Sequence, residues 1–165
     1  MRTARARPAA TRSAVVHISH ECTVSAPVEF LFDYMDDYRT TPAWMYGLAA
    51  FEPIGATDHG VGARFRTTLQ VRPVRLRATL EVVAWERYRL IEVASVDGFA
   101  TRSAWRFSSA GEAVSRVAVE IAYELARGVA GRTIGAAFGP MVGRAVRHSE
   151  ATLRRNVEAQ YAKTR

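Results

Sequence analysis

With 165 residues, 48% of them apolar and 24% charged, the chain carries enough hydrophobic surface for one domain with a sizeable core and has no room for a second. Its formal charge of +7 overstates the basic character of the folded part, because Arg2, Arg5, Arg7 and Arg12 supply four of those charges and leave about +3 elsewhere. The composition excludes the disordered and fibrous classes, and Cys22, the single cysteine, allows no internal disulfide, which fits a cytoplasmic setting.

Met1 to Ser13 holds those four arginines and no acid, and reads as a disordered basic tail ahead of a single domain over residues 14–162. The first strand spans Ala14 to Val24, where Val16, Ile18, His20, Cys22 and Val24 alternate with His17, Ser19, Glu21 and Thr23. Pro27 then suits the first turn of a short helix, Glu29 its positive end, and Val28, Leu31, Phe32 and Met35 form its apolar stripe. Thr41-Pro42 marks a second helical start, with Trp44 sealing it against the sheet.

Six more strands are predicted at Leu48 to Ile54, Ala63 to Arg72, Arg75 to Trp85, Arg89 to Ser95, Phe99 to Ser108 and Val114 to Leu125. Their alternation places one face inward and one in water, the pattern of an antiparallel sheet covered on one side. A tight turn around Pro73-Val74 would set Arg66 opposite Glu81, and a loop at Gly111 would set Arg102 opposite Glu120. The strand arginines then form a solvated, paired surface and lack the one-sided mixture of bases and aromatics that nucleic acid requires, so no nucleic-acid partner is expected.

The last element is a long helix from about Ala130 to Ala162. Ile134, Phe138, Val142, Ala145, Val146, Ser149, Leu153 and Val157 share one arc, while Arg144, Arg147, Glu150, Arg154, Arg155 and Glu158 fill the opposite one. Gly131, Gly135, Gly139 and Gly143 recur every fourth residue beside Pro140, which calls for compensation by close helix-to-sheet approach or by space for a ligand. No stretch reaches the ~20 apolar residues of a membrane span, so no stable membrane insertion is expected.

The order of elements, the Ser25-Ala26-Pro27-Val28-Glu29-Phe30 helix entry, Pro42-Ala43-Trp44, Gly60-Val61-Gly62-Ala63-Arg64 and the closing Gly-rich helix together resemble the SRPBCC superfamily (START-like, polyketide cyclase/dehydrase) over about Val15 to Ala159. That resemblance implies an α+β helix-grip fold: a curved antiparallel sheet of about seven strands wrapped around a long C-terminal helix, with two short helices between strands 1 and 2. It also implies a deep apolar cavity between sheet and helix. Members bind lipids, sterols, polyketides, quinones or plant hormones, and some catalyse cyclisation or dehydration. Aromatic polyketide cyclases typically show tryptophan before proline in the second helix region, the reverse of Pro42-Ala43-Trp44.

If the inward faces line such a cavity, its wall includes Phe65, Thr67, Leu69, Leu80, Thr101, Ser103, Trp105 and Tyr123, roofed by Phe138, Met141 and Ala145. The hydroxyls of Thr67, Thr101 and Ser103 either orient a ligand or are satisfied on nearby backbone. His148, beside Met141 in helical phase, is the candidate acid–base group should the protein be an enzyme; His20 is the other inward histidine. His17 and His20 fall on opposite strand faces, no Cys/His/carboxylate cluster has metal spacing, and neither metal nor cofactor is expected. Asp33, Asp36 and Asp37 read as caps or solvated acids at the end of the first helix. The leading expectation is a binder of a hydrophobic small molecule. A cyclase or dehydratase using the same cavity is the alternative, and a chaperone-activating or ribosome-associated protein-binding module a further one. The sequence leaves the oligomeric state open.

Overall fold

The structure, a computed structural model, describes residues 14–125 and 129–165, the side chains of residues 129–137 excepted. The expected tail Met1 to Ser13 lies outside the described residues, as do the side chain of Ile134 and the surroundings of Gly131 and Gly135. Strand β1 (Ala14–Val24) alternates half-buried and exposed positions along its whole length, as its sequence does. Helix α1 (Val28–Asp36) starts directly after Pro27 and buries Leu31, Phe32, Tyr34 and Met35. A 3-10 turn at Tyr38–Thr40 follows, capped by the Asp37 carboxylate, which accepts from Arg39 N at 3.0 Å. Helix α2 (Thr41–Trp44) has Pro42 in its first turn, where a missing N–H costs nothing.

Strands β2 (Leu48–Ile54), β3 (Arg64–Val71), β4 (Val74–Glu86), β5 (Leu90–Gly98), β6 (Thr101–Gly111) and β7 (Val114–Leu125) join β1 in one antiparallel sheet of order β1-β7-β6-β5-β4-β3-β2. Helix α3 (Val129–Ala162) closes the chain, and the curved sheet grips it: this is the helix-grip fold. Leu153 and Val157 of α3 are fully buried with Val24, Leu31, Phe32, Trp44, Phe107 and Val117 in the larger core cluster. Burial of a leucine of this kind is worth about 1.5–3 kcal/mol. Phe32 stands edge-on to Trp85, Tyr88 and Phe107, which ties α1 to the sheet. A smaller cluster of Ala63, Phe65 and Val82 packs against Tyr38 and Phe51.

Two register expectations are corrected by two residues each. The β3–β4 turn closes at Arg72-Pro73, with Val71 opposite Val74, so Glu81 faces Arg64 (Nε to Oε2, 2.6 Å), while Arg66 faces Thr79 and reaches Glu52 on β2 at 3.7 Å. An irregularity between Ser109 and Gly111 moves the β6–β7 pairing, so Arg102 lies opposite Ala122 and pairs with Glu92 on β5, and Arg106 reaches Glu120 at 3.7 Å. A third correction concerns α3. Glu150, expected in water, is only 5% exposed, because β1 covers that flank and offers His20 as its partner. Added side-chain atoms would meet nothing at Gly139 and only the Arg147 guanidinium at Gly143, so neither glycine marks a close approach to the sheet.

Candidate functional site

Between the sheet and α3 lies a cavity of about 150 Å³. Helix α2 and its link to β2 supply Trp44, Met45 and Tyr46; the β3–β4 hairpin supplies Leu69, Val71, Val74 and Leu76. Phe99, Thr101, Trp105, Ile121 and Tyr123 come from the β5–β7 side, and Phe138, Met141, Val142, Ala145, Val146 and Ser149 from α3. Tyr46, 45% exposed, stands at the mouth. Aromatic rings brace the wall edge-to-face: Trp44 on Trp105 at 5.5 Å between centroids, and Tyr123 on Phe138 at 5.2 Å.

Seven expected wall residues meet there: Leu69, Thr101, Trp105, Tyr123, Phe138, Met141 and Ala145. Phe65, Thr67, Leu80 and Ser103 do not line it. Phe65 stacks on Phe51 at 4.6 Å and meets Tyr38 at 5.8 Å, Leu80 is its cross-strand neighbour, Thr67 is buried two residues further along β3, and Ser103 sits half-buried between Val93 and Ile121. The Tyr38 turn fills that part of the concave face. The void is displaced toward the β3–β4 hairpin tip, whose residues Val71, Val74 and Leu76 were not anticipated. One signal was legible: Val71 and Val74 flank a tight turn, where polar residues are the norm. His148 is exposed on α3 and lies outside the wall, with its ring 4.7 Å from that of Tyr46.

Apart from Tyr46 and Tyr123, the described wall contains no ionisable side chain. Burial pushes the Tyr123 phenol above its ordinary pKa. Two wall hydroxyls are already committed: Thr101 Oγ1 donates to the Ala122 carbonyl at 3.2 Å, and Ser149 Oγ donates to the Ala145 carbonyl at 2.8 Å while accepting from Tyr46 N at 2.9 Å. Trp44 Nε1 and the Tyr123 hydroxyl are buried without a protein partner.

The titratable groups gather elsewhere. His20 Nδ1 of β1 faces Glu150 Oε2 of α3, and Glu150 Oε1 has no partner. Burial raises the Glu150 pKa, and the neighbouring imidazole opposes that shift. Cys22, two residues along β1, is pushed up to about 11 by burial first and Glu150 second, so its thiol is not activated. Asp36 accepts from Trp85 Nε1 at 2.8 Å, Asp37 caps the 3-10 turn and Asp33 faces water. No three metal-ligating side chains converge among the described residues.

The family described as polyketide cyclase / dehydrase and lipid transport matches residues 15–158, nearly the whole described chain. The chain belongs to this family. No curated protein matches it in sequence. Among solved structures it resembles TTHA0849 from Thermus thermophilus (20% identity, TM-score 0.77, covering 88% of this chain and 99% of that one). It also resembles a START superfamily protein from Mycobacterium smegmatis (14% identity, TM-score 0.66, 90% and 99% covered). A third likeness is to the Zhui aromatase/cyclase from Streptomyces sp. R1128 (15% identity, TM-score 0.68, 91% and 95% covered). At such identities the likeness establishes the shared fold and leaves the chemistry to the residues of this chain.

Proposed function

We propose that this protein binds a hydrophobic small molecule in the cavity between sheet and α3 and acts as a carrier or sequestering protein in the cytoplasm. The observation that supports this reading is the wall itself: apolar and aromatic, with no carboxylate, histidine, lysine, arginine or cysteine among its described residues. A cyclase or dehydratase, the kind of activity that the Streptomyces aromatase/cyclase is named for, needs a proton donor and acceptor within hydrogen-bond reach of the substrate. Tyr123, its phenol held protonated by burial, is a poor base, and the Glu150–His20 pair lies outside the wall. His148 stands outside it too, and no acid–base role is proposed for it. The open cavity also speaks against a module that only presents a packed surface to another protein.

Native mass spectrometry of the purified protein tests the reading. A noncovalent adduct of a neutral organic molecule, released on denaturation, is the expected result. Protein that carries no adduct and takes up no added small aromatic compound refutes it.

A further inference from the structure

Three properties of the wall converge on the chemistry of its ligand. The first is size: a largely apolar cavity of about 150 Å³ accommodates a benzene-sized molecule. The second is charge. With no cation or anion in the described wall, an ionised ligand would be desolvated without a partner, which is strongly unfavourable. The third is hydrogen bonding. Ser149 and Thr101 have spent their protons on backbone carbonyls, so among the described residues the buried wall donors without a partner are Trp44 Nε1–H and the Tyr123 hydroxyl. Trp44 is 4% exposed and Tyr123 3%, and both line the cavity.

A buried donor without an acceptor is destabilising, and an indole N–H can only donate. We propose that the cavity takes a neutral, single-ring-sized apolar molecule carrying a carbonyl or ether oxygen, and that this oxygen accepts from Trp44 Nε1 or the Tyr123 hydroxyl. The inference rests on the binding role proposed above. Both donor atoms are buried in the unliganded wall, so the proposal requires the edge-to-face pairs Trp44–Trp105 and Tyr123–Phe138 to part slightly for the oxygen to reach them. The rest of the ligand contacts Leu69, Met141 and Ala145, which offer only dispersion and hydrophobic contact.

The test is a titration of the full chain, ¹⁵N-labelled, with three probes of similar shape: acetophenone (neutral, with acceptor), ethylbenzene (neutral, without) and benzoate (charged). Acetophenone should bind about two- to tenfold more tightly than ethylbenzene, the range of one net hydrogen bond, and benzoate more weakly than acetophenone. The Trp44 indole N–H resonance, assigned by its loss in Trp44→Phe, should move downfield with acetophenone alone. In Tyr123→Phe the preference for acetophenone should shrink while ethylbenzene affinity holds. Equal affinities for acetophenone and ethylbenzene, with a still indole resonance, overturn the acceptor inference and leave the binding role standing. Tighter benzoate binding overturns it as well, and failure of all three probes to bind overturns both. Should Tyr123→Phe not fold, the probe ranking and the indole resonance of the native chain decide alone.

Discussion

Replacing Ala145 with leucine separates a true void from a packed core. Ala145 faces the cavity from α3 and is half-buried, so the three added carbons have room to enter it. At about 0.8 kcal/mol per buried methylene the gain is at most about 2.4 kcal/mol, and ordering the new side chain costs roughly 0.5–1 kcal/mol. The net expectation is a stabilisation of about 1–2 kcal/mol, which raises Tm by roughly 3–6 °C in a domain of this size. In a filled core the same change forces strained rotamers and costs about 1–3 kcal/mol, so the two cases differ in sign. Thermal unfolding monitored by circular dichroism reads the sign directly, and acetophenone affinity measured on the same variant should fall at least about tenfold because its space is taken. A lowered Tm with ligand affinity intact would refute the cavity as drawn.

Leu153→Ala, by contrast, empties a fully buried position where α3 meets α1 and the sheet, and should destabilise by about 3–5 kcal/mol in urea titration; a loss below about 1 kcal/mol would mean that α3 is not docked there. Glu150→Gln should show a pH signature. The folded carboxyl has a raised pKa, so the native state holds the proton more tightly than the unfolded chain, and wild-type stability falls as pH rises from the ordinary glutamate value through the elevated one. Glutamine has no such penalty, so the stability of the variant relative to wild type should increase across that window and level off above it; a flat difference from about pH 4 to about pH 8 would contradict the shift.

The sheet was legible because its signal has period two. Val16, Ile18 and His20, or Phe65, Thr67 and Leu69, declare their face by alternation, and the strand ends fell near Pro73 and Gly111 as turn chemistry dictates. The same periodicity explains how the register errors stayed harmless. A slip of two residues, as between Arg64 and Arg66 opposite Glu81, keeps every side chain on its own face. Alternation carries no information about position along the strand, however. It could not tell that Tyr38 would fill the space over Phe65 while Val71 and Val74 faced a void, because that depends on where a 3-10 turn far back in the chain is laid down. Helical phase failed at Glu150 for a related reason. It describes a helix with one partner surface, and α3 has two, the concave sheet and the flank of β1 that carries His20.

The placement of the indoles has a practical consequence. The chain has three tryptophans: Trp44 and Trp105 are both cavity wall, and Trp85 is anchored to Asp36 outside it. Two of the three indoles therefore report on the cavity, and Trp85, outside the wall, reports on the α1–sheet contact instead. A ligand entering between Trp44 and Trp105 alters the polarity and collisional surroundings of both rings at once. Under the binding role proposed above, the unlabelled protein should serve as its own optical sensor, screening compound libraries without a dye or a covalent tag.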